Sequence, residues 1–202
     1  GGEAGNSAED GAASGELSYD RYRFVSRERV ERIRAEMRQE ITAVRKVTDD
    51  HPRLIQELVA LETQFDDGNK SLTSGAYPAA LKQFERVGEL VNDLADLIAL
   101  RQAASAEHDK FLTAVENVEG SRSVAPYEYE KAVIVGSEGE VQLSNGNFTV
   151  AQRTFVRAIE TVEAFEKLVD IYFADLEIAG KIALNAGDAD KAKAIFRDIL
   201  KM

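Results

Sequence analysis

The chain has 202 residues, is 44 % hydrophobic and 30 % charged, and carries a formal net charge of −11. That length can bury a sizeable core, and the balance is that of a folded chain. With no cysteine, thiolate catalysis, disulfides and cysteine-based zinc sites are excluded; an acidic body argues against nucleic acid as the main partner, because phosphates would be repelled.

Charge is uneven along the chain. Residues 1–19 hold four acids and no base, whereas residues 20–47 hold nine Arg or Lys against five acids. Residues 1–17, GGEAGNSAEDGAASGEL, are small and acidic and are expected to form a disordered tail, since they cannot bury enough apolar area to fold. From Ser18 to Thr48 one helix is expected, with Phe24, Val30, Ile33, Met37, Ile41 and Val44 as its apolar stripe. Glu28–Arg32 and Glu31–Arg34 stand at ion-pair spacing on it. The preferred reading packs that stripe on the acidic body and leaves the arginines solvated. The other reading is a basic amphipathic helix that touches anionic lipid or an acidic partner.

Asp49-Asp50-His51-Pro52 breaks this helix and starts the next, because proline fits a first helical position. Leu54, Ile55, Leu58, Leu61 and Phe65 then form a stripe leading to Gly68. From Glu89 to Glu119 there is neither Gly nor Pro, which implies one unusually long helix or two joined near Ala103–Glu107. Residues 119–126 are the clearest loop and the hinge candidate within a single domain over 18–202. Tyr127–Asn145 reads as a helix, and Phe148–Ala186 as nearly continuous helix with a turn around Ala164–Asp170. The last helix, Ala189–Lys201, places Ile195, Phe196, Ile199 and Leu200 on one side. That stripe is expected to be covered by another chain, by the N-terminal helix or by a continuation of the chain.

One skeleton recurs three times at spacings of seven, five and four residues: Gly68, Gly75, Ala80, Phe84; Gly139, Gly146, Ala151, Phe155; Gly180, Gly187, Ala192, Phe196. The second glycine of each set sits in a polar turn (SLTSGAY, QLSNGNF, LNAGDAD), where it can take the positive backbone angle that ends a helix. The first glycine lies two helical turns earlier and, with the alanine, is expected to let two antiparallel helices approach closely. The phenylalanine fills the remaining space. All twelve are read as packing residues.

This skeleton resembles the tetratricopeptide repeat, a helix with a small residue, a Gly turn, and a second helix carrying Ala and then an aromatic. Tyr77 and Phe148 also match an aromatic place just after the turn, and Ala189 departs from it. Tryptophan is absent, and the copies begin 71 and 41 residues apart, against a family norm of about 34. The resemblance covers roughly half of the chain. It implies an all-α fold of antiparallel hairpins stacked in a short superhelix, to which the stripes above add a long N-terminal helix and an unusually long middle helix. It also implies a groove lined by the first helices that grips a peptide or protein segment, for which Gln64, Asn69, Lys70, Glu138 and Gln142 are the candidates.

No phosphate loop, dinucleotide fingerprint or GxSxG occurs. The two histidines, His51 and His108, lack a second His at ligand spacing and read as surface residues. The chain is therefore read as non-enzymatic, without catalytic residue, cofactor or metal: a protein–protein interaction adaptor. The alternatives are a self-associating structural protein and a small-molecule binder in an interhelical cleft. The tail looks like the tether that follows the acylated Cys of bacterial lipoproteins. That resemblance implies an exported, periplasmic or lipid-anchored protein with a membrane tether at its N-terminus; a cytoplasmic chain is the alternative.

Overall fold

A computed structural model describes residues 24–200. The expected disordered tail and the Ser18–Arg23 start of the first helix lie outside these residues. The described chain is all-α: six α-helices and one short 3-10 turn, with no strand among the described residues. None of these helices is long and apolar enough to cross a membrane. The chain divides into two compact units, the first ending at Ile98 and the second beginning at Ala99.

In the first unit, α1 (Arg27–Val47) is capped by the Ser26 hydroxyl, which accepts from the Arg29 amide at 3.2 Å. That cap fixes where the stripe starts. Phe24 precedes it and is 89 % exposed, so the buried face begins at Val30 rather than Phe24. Helix α2 (Pro52–Thr73) begins at its proline, with the His51 ring Nδ1 accepting from the Arg53 amide at 3.2 Å. His51 is accordingly buried, not a surface residue. Leu54 and Leu61 of α2 are buried whereas Ile55, a third of a turn round, is exposed. The core joins Val30 of α1, Leu72 of α2, and Ala80, Leu81 and Phe84 of α3, with Ile33, Met37 and Phe65 packed against it.

Helix α3 runs unbroken from Tyr77 to Val118, settling the choice between one helix and two. The boundary between the units falls inside it. The 119–126 segment is a 3-10 turn over Glu119–Ser121 followed by turns up to Pro126.

The second unit contains the last twenty residues of α3 with α4 (Pro126–Ser144), α5 (Phe148–Asn185) and α6 (Ala189–Ile199). The expected turn at Ala164–Asp170 does not occur. Ala151, Phe155, Ala158, Val162, Phe165 and Val169 are all buried at alternating steps of four and three, so the core-facing register passes straight through that segment. Helix α6 packs on the second half of α5 and stops at Ile199. Leu200 is 87 % exposed, while Ile195, Phe196 and Ile199 are half-buried. The second half of α5 also carries a second stripe, Leu168, Ile171, Ile178 and Ile182, whose side chains face solvent; Ile182 is 64 % exposed.

Candidate functional site

The three glycine turns are built alike. Gly75, Gly146 and Gly187 hold φ of 82°, 76° and 78°, the left-handed region that costs other residues about 1–2 kcal/mol. After each, the next amide reaches back five residues to a helix carbonyl: Ala76 to Ser71 at 2.9 Å, Asn147 to Gln142 at 2.9 Å, Asp188 to Ala183 at 3.0 Å. Each glycine amide bonds the carbonyl three residues back, at 3.1, 3.1 and 3.0 Å. This paired closure satisfies carbonyls that a helix end leaves open.

Beside each turn the first glycine forms a socket for a ring. A Cβ placed on Gly68 would sit 2.6 Å from the Phe84 ring, one on Gly139 2.6 Å from Phe155, and one on Gly180 2.6 Å from Phe196. The nearest atoms to these glycines are those of the phenylalanine rings rather than the alanines, so the contact is glycine against ring. Ala80, Ala151 and Ala192 are buried alongside. A fourth socket has no counterpart in the repeated skeleton: Gly136 of α4 lies still closer to the Phe111 ring of α3. Phe111 in turn stacks on Phe155, with centroids 6.3 Å apart, and His108 lies against the same ring at 4.8 Å. His108 Nε2 is 3.2 Å from a Glu140 carboxylate oxygen, so this histidine is partly enclosed in a hairpin contact rather than free on the surface.

The five groove candidates fall in both units. Glu138 pairs with Arg157 across the α4–α5 hairpin at 3.1 Å, and Gln142 accepts from the Asn147 side chain at 2.9 Å. Lys70 is held by Asp67 at 2.8 Å, an interaction that raises its pKa. Glu138 and Gln142 are one turn apart and share a face of α4. On α2, Gln64 and Asn69 are turned about 140° from each other, so they do not line one surface.

A different surface is more coherent. Along α1, Arg34, Arg38, Thr42 and Lys46 recur every four residues and share one flank with Ala35 and Ala43 between them. These residues, with Gln39, line a shallow groove of about 490 Å³ that contains no carboxylate. Arg38 also borders a cavity of about 330 Å³ with Arg45 and Thr42, facing Glu62 and Asp66 of α2. There Glu62 pairs with Arg45. The expected Glu28–Arg32 and Glu31–Arg34 pairs do not form. Glu31 turns back one helical turn to Arg27 at 2.8 Å instead. Arg34, Arg38 and Lys46 are therefore without an ion pair among the described residues, whereas Arg86, Lys110, Arg157 and Lys181 each have one. The unpaired set was invisible to a reading by helical spacing alone, because it depends on which cation each carboxylate selects.

Among the described residues no three His, Asp or Glu side chains converge on a metal-binding point. No family model, curated protein or solved structure matches the chain.

Proposed function

We propose that this chain is a non-enzymatic adaptor of tetratricopeptide-like build that holds a segment of another protein against its helical hairpins. The observation that carries the reading is the threefold recurrence of one turn closure with one glycine–ring socket, a construction that stacks helices at fixed spacing and leaves the outer faces free for recognition. Placing a photo-crosslinking residue at Gln142 or Gln64 and irradiating in native extract tests it. A discrete adduct, the same in repeat preparations and displaced by unlabelled protein, is expected. Smears no different from those given by a crosslinker at exposed Ile55 would count against it.

A second reading, self-association, is favoured by the solvent-facing stripe of α5. Its spacings of three, seven and four residues keep these side chains on one face, the pattern with which one helix seats on another. Sedimentation that stays monomeric at high concentration, and is unchanged by Ile178→Glu, would remove it.

A further inference from the structure

We infer that the α1 groove is a docking site for an acidic, extended polypeptide segment; this rests on the adaptor reading and names the chemistry of its partner. Three observations converge. Residues 20–47 hold nine Arg or Lys against five acids in a chain whose net charge is −11. Within that stretch, Arg34, Arg38 and Lys46 lie on one flank without an ion pair among the described residues, while Arg45, the other cation between Arg34 and Lys46, is paired with Glu62. The groove floor between them is Ala35, Thr42 and Ala43, small side chains that let a backbone approach between the long cationic arms.

The shape of the charge selects the class of ligand. From Arg34 to Lys46 the flank runs about 18 Å, which an extended segment of roughly five or six residues spans. A bilayer or a long nucleic acid is opposed by the net charge of −11 that the chain as a whole carries. A slender segment touches the flank alone. The inner cavity is closed to an anion because Glu62 and Asp66 face it, so the segment lies along the outer groove, within reach of Arg34, Arg38, Gln39 and Lys46. The apolar face of α1 is committed to its own core through Val30, Ile41 and Val44, so recognition there is electrostatic and polar rather than by insertion.

The experiment measures fluorescence anisotropy of a fluorescein-labelled oligoglutamate with the full chain at low and at physiological salt. Binding that weakens with salt is expected. The triple variant R34Q/R38Q/K46Q should lose about tenfold in affinity, the worth of three exposed ion pairs. The charge-matched variant R86Q/K110Q/K181Q, whose cations are already paired, should leave it unchanged. R34K/R38K should retain binding, and all three variants should keep the wild-type helical circular dichroism because these side chains face solvent. Equal losses in the two triple variants would show a net-charge effect and overturn the proposal. So would no binding at low salt, or tighter binding to phosphatidylglycerol vesicles or oligothymidylate than to oligoglutamate. Failure of the adaptor reading would look different: no adduct from Gln142 or Gln64, with oligoglutamate still binding to α1.

Discussion

The second and third hairpins carry one motif in two settings. In each, a glycine lies against the phenylalanine that follows it after the turn, at the same 2.6 Å for an added Cβ. Around Phe155 the motif is finished by a third helix: α3 brings His108 and Phe111 onto the ring, and it is wholly buried. Around Phe196 only α5 and α6 meet, no described ring reaches it, and it stays half-buried. The local skeleton is thus sufficient to build a hairpin. Burial of its ring is supplied by whatever packs on the hairpin's other side.

The largest test of this contrast truncates the two rings. Phe155→Ala should cost about 3–5 kcal/mol in urea unfolding, as expected for an enclosed aromatic. Phe196→Ala should cost less than half of that, and equal losses would break the comparison. Next come the sockets. Gly139→Ala and Gly136→Ala force a methyl into rings that cannot move away and should cost about 1–3 kcal/mol each. In Gly180→Ala the Phe196 ring can swing toward solvent, so the loss should be smaller. The turn glycines sharpen the contrast by ignoring it. A Cβ on Gly75 or Gly187 meets nothing within 4 Å, so alanine at either should cost only the backbone strain, about 1–2 kcal/mol and equal at both.

The smallest effect is expected on the α5 surface. The Lys181 ammonium hydrogen-bonds the Glu177 carboxylate and holds its pKa below the ordinary 4.5. Because the folded value is the lower one, the pair's contribution is present above the unfolded value and is lost as the pH falls through the folded one. Both groups are exposed, so Glu177→Gln should move the melting midpoint at neutral pH less than any substitution above. Even that difference should vanish in acid.

What could be read in advance was whatever depends on neighbours along the chain. The glycine turns, the proline starts at Pro52 and Pro126, and the offset that brings Gly139 to Phe155 all act within one hairpin, so spacing alone encodes them. The Gly136–Phe111 socket joins helices on either side of the 119–126 segment, and no repeated offset announces it. The continuity of α5 through Ala164–Asp170 was missed because both of its apolar stripes run there. An apolar arc on two sides blurs the period that marks a single buried face. The α1 groove needed tertiary information of another kind: Glu31 selects Arg27 and Glu62 reaches Arg45 from a different helix, which leaves Arg34, Arg38 and Lys46, along with Arg29 and Arg32, without an ion pair among the described residues. Phe24 belonged to the periodic pattern but fell outside the helix, since Ser26 caps it first.

The isoleucines at 171, 178 and 182 keep their side chains in water in the folded state. An environment-sensitive dye such as ANS should therefore fluoresce on the native protein, by the same contact that elsewhere reports loosened packing. Its intensity would fall rather than rise as α5 melts. Judged by such a dye alone, the intact chain would be mistaken for a molten one.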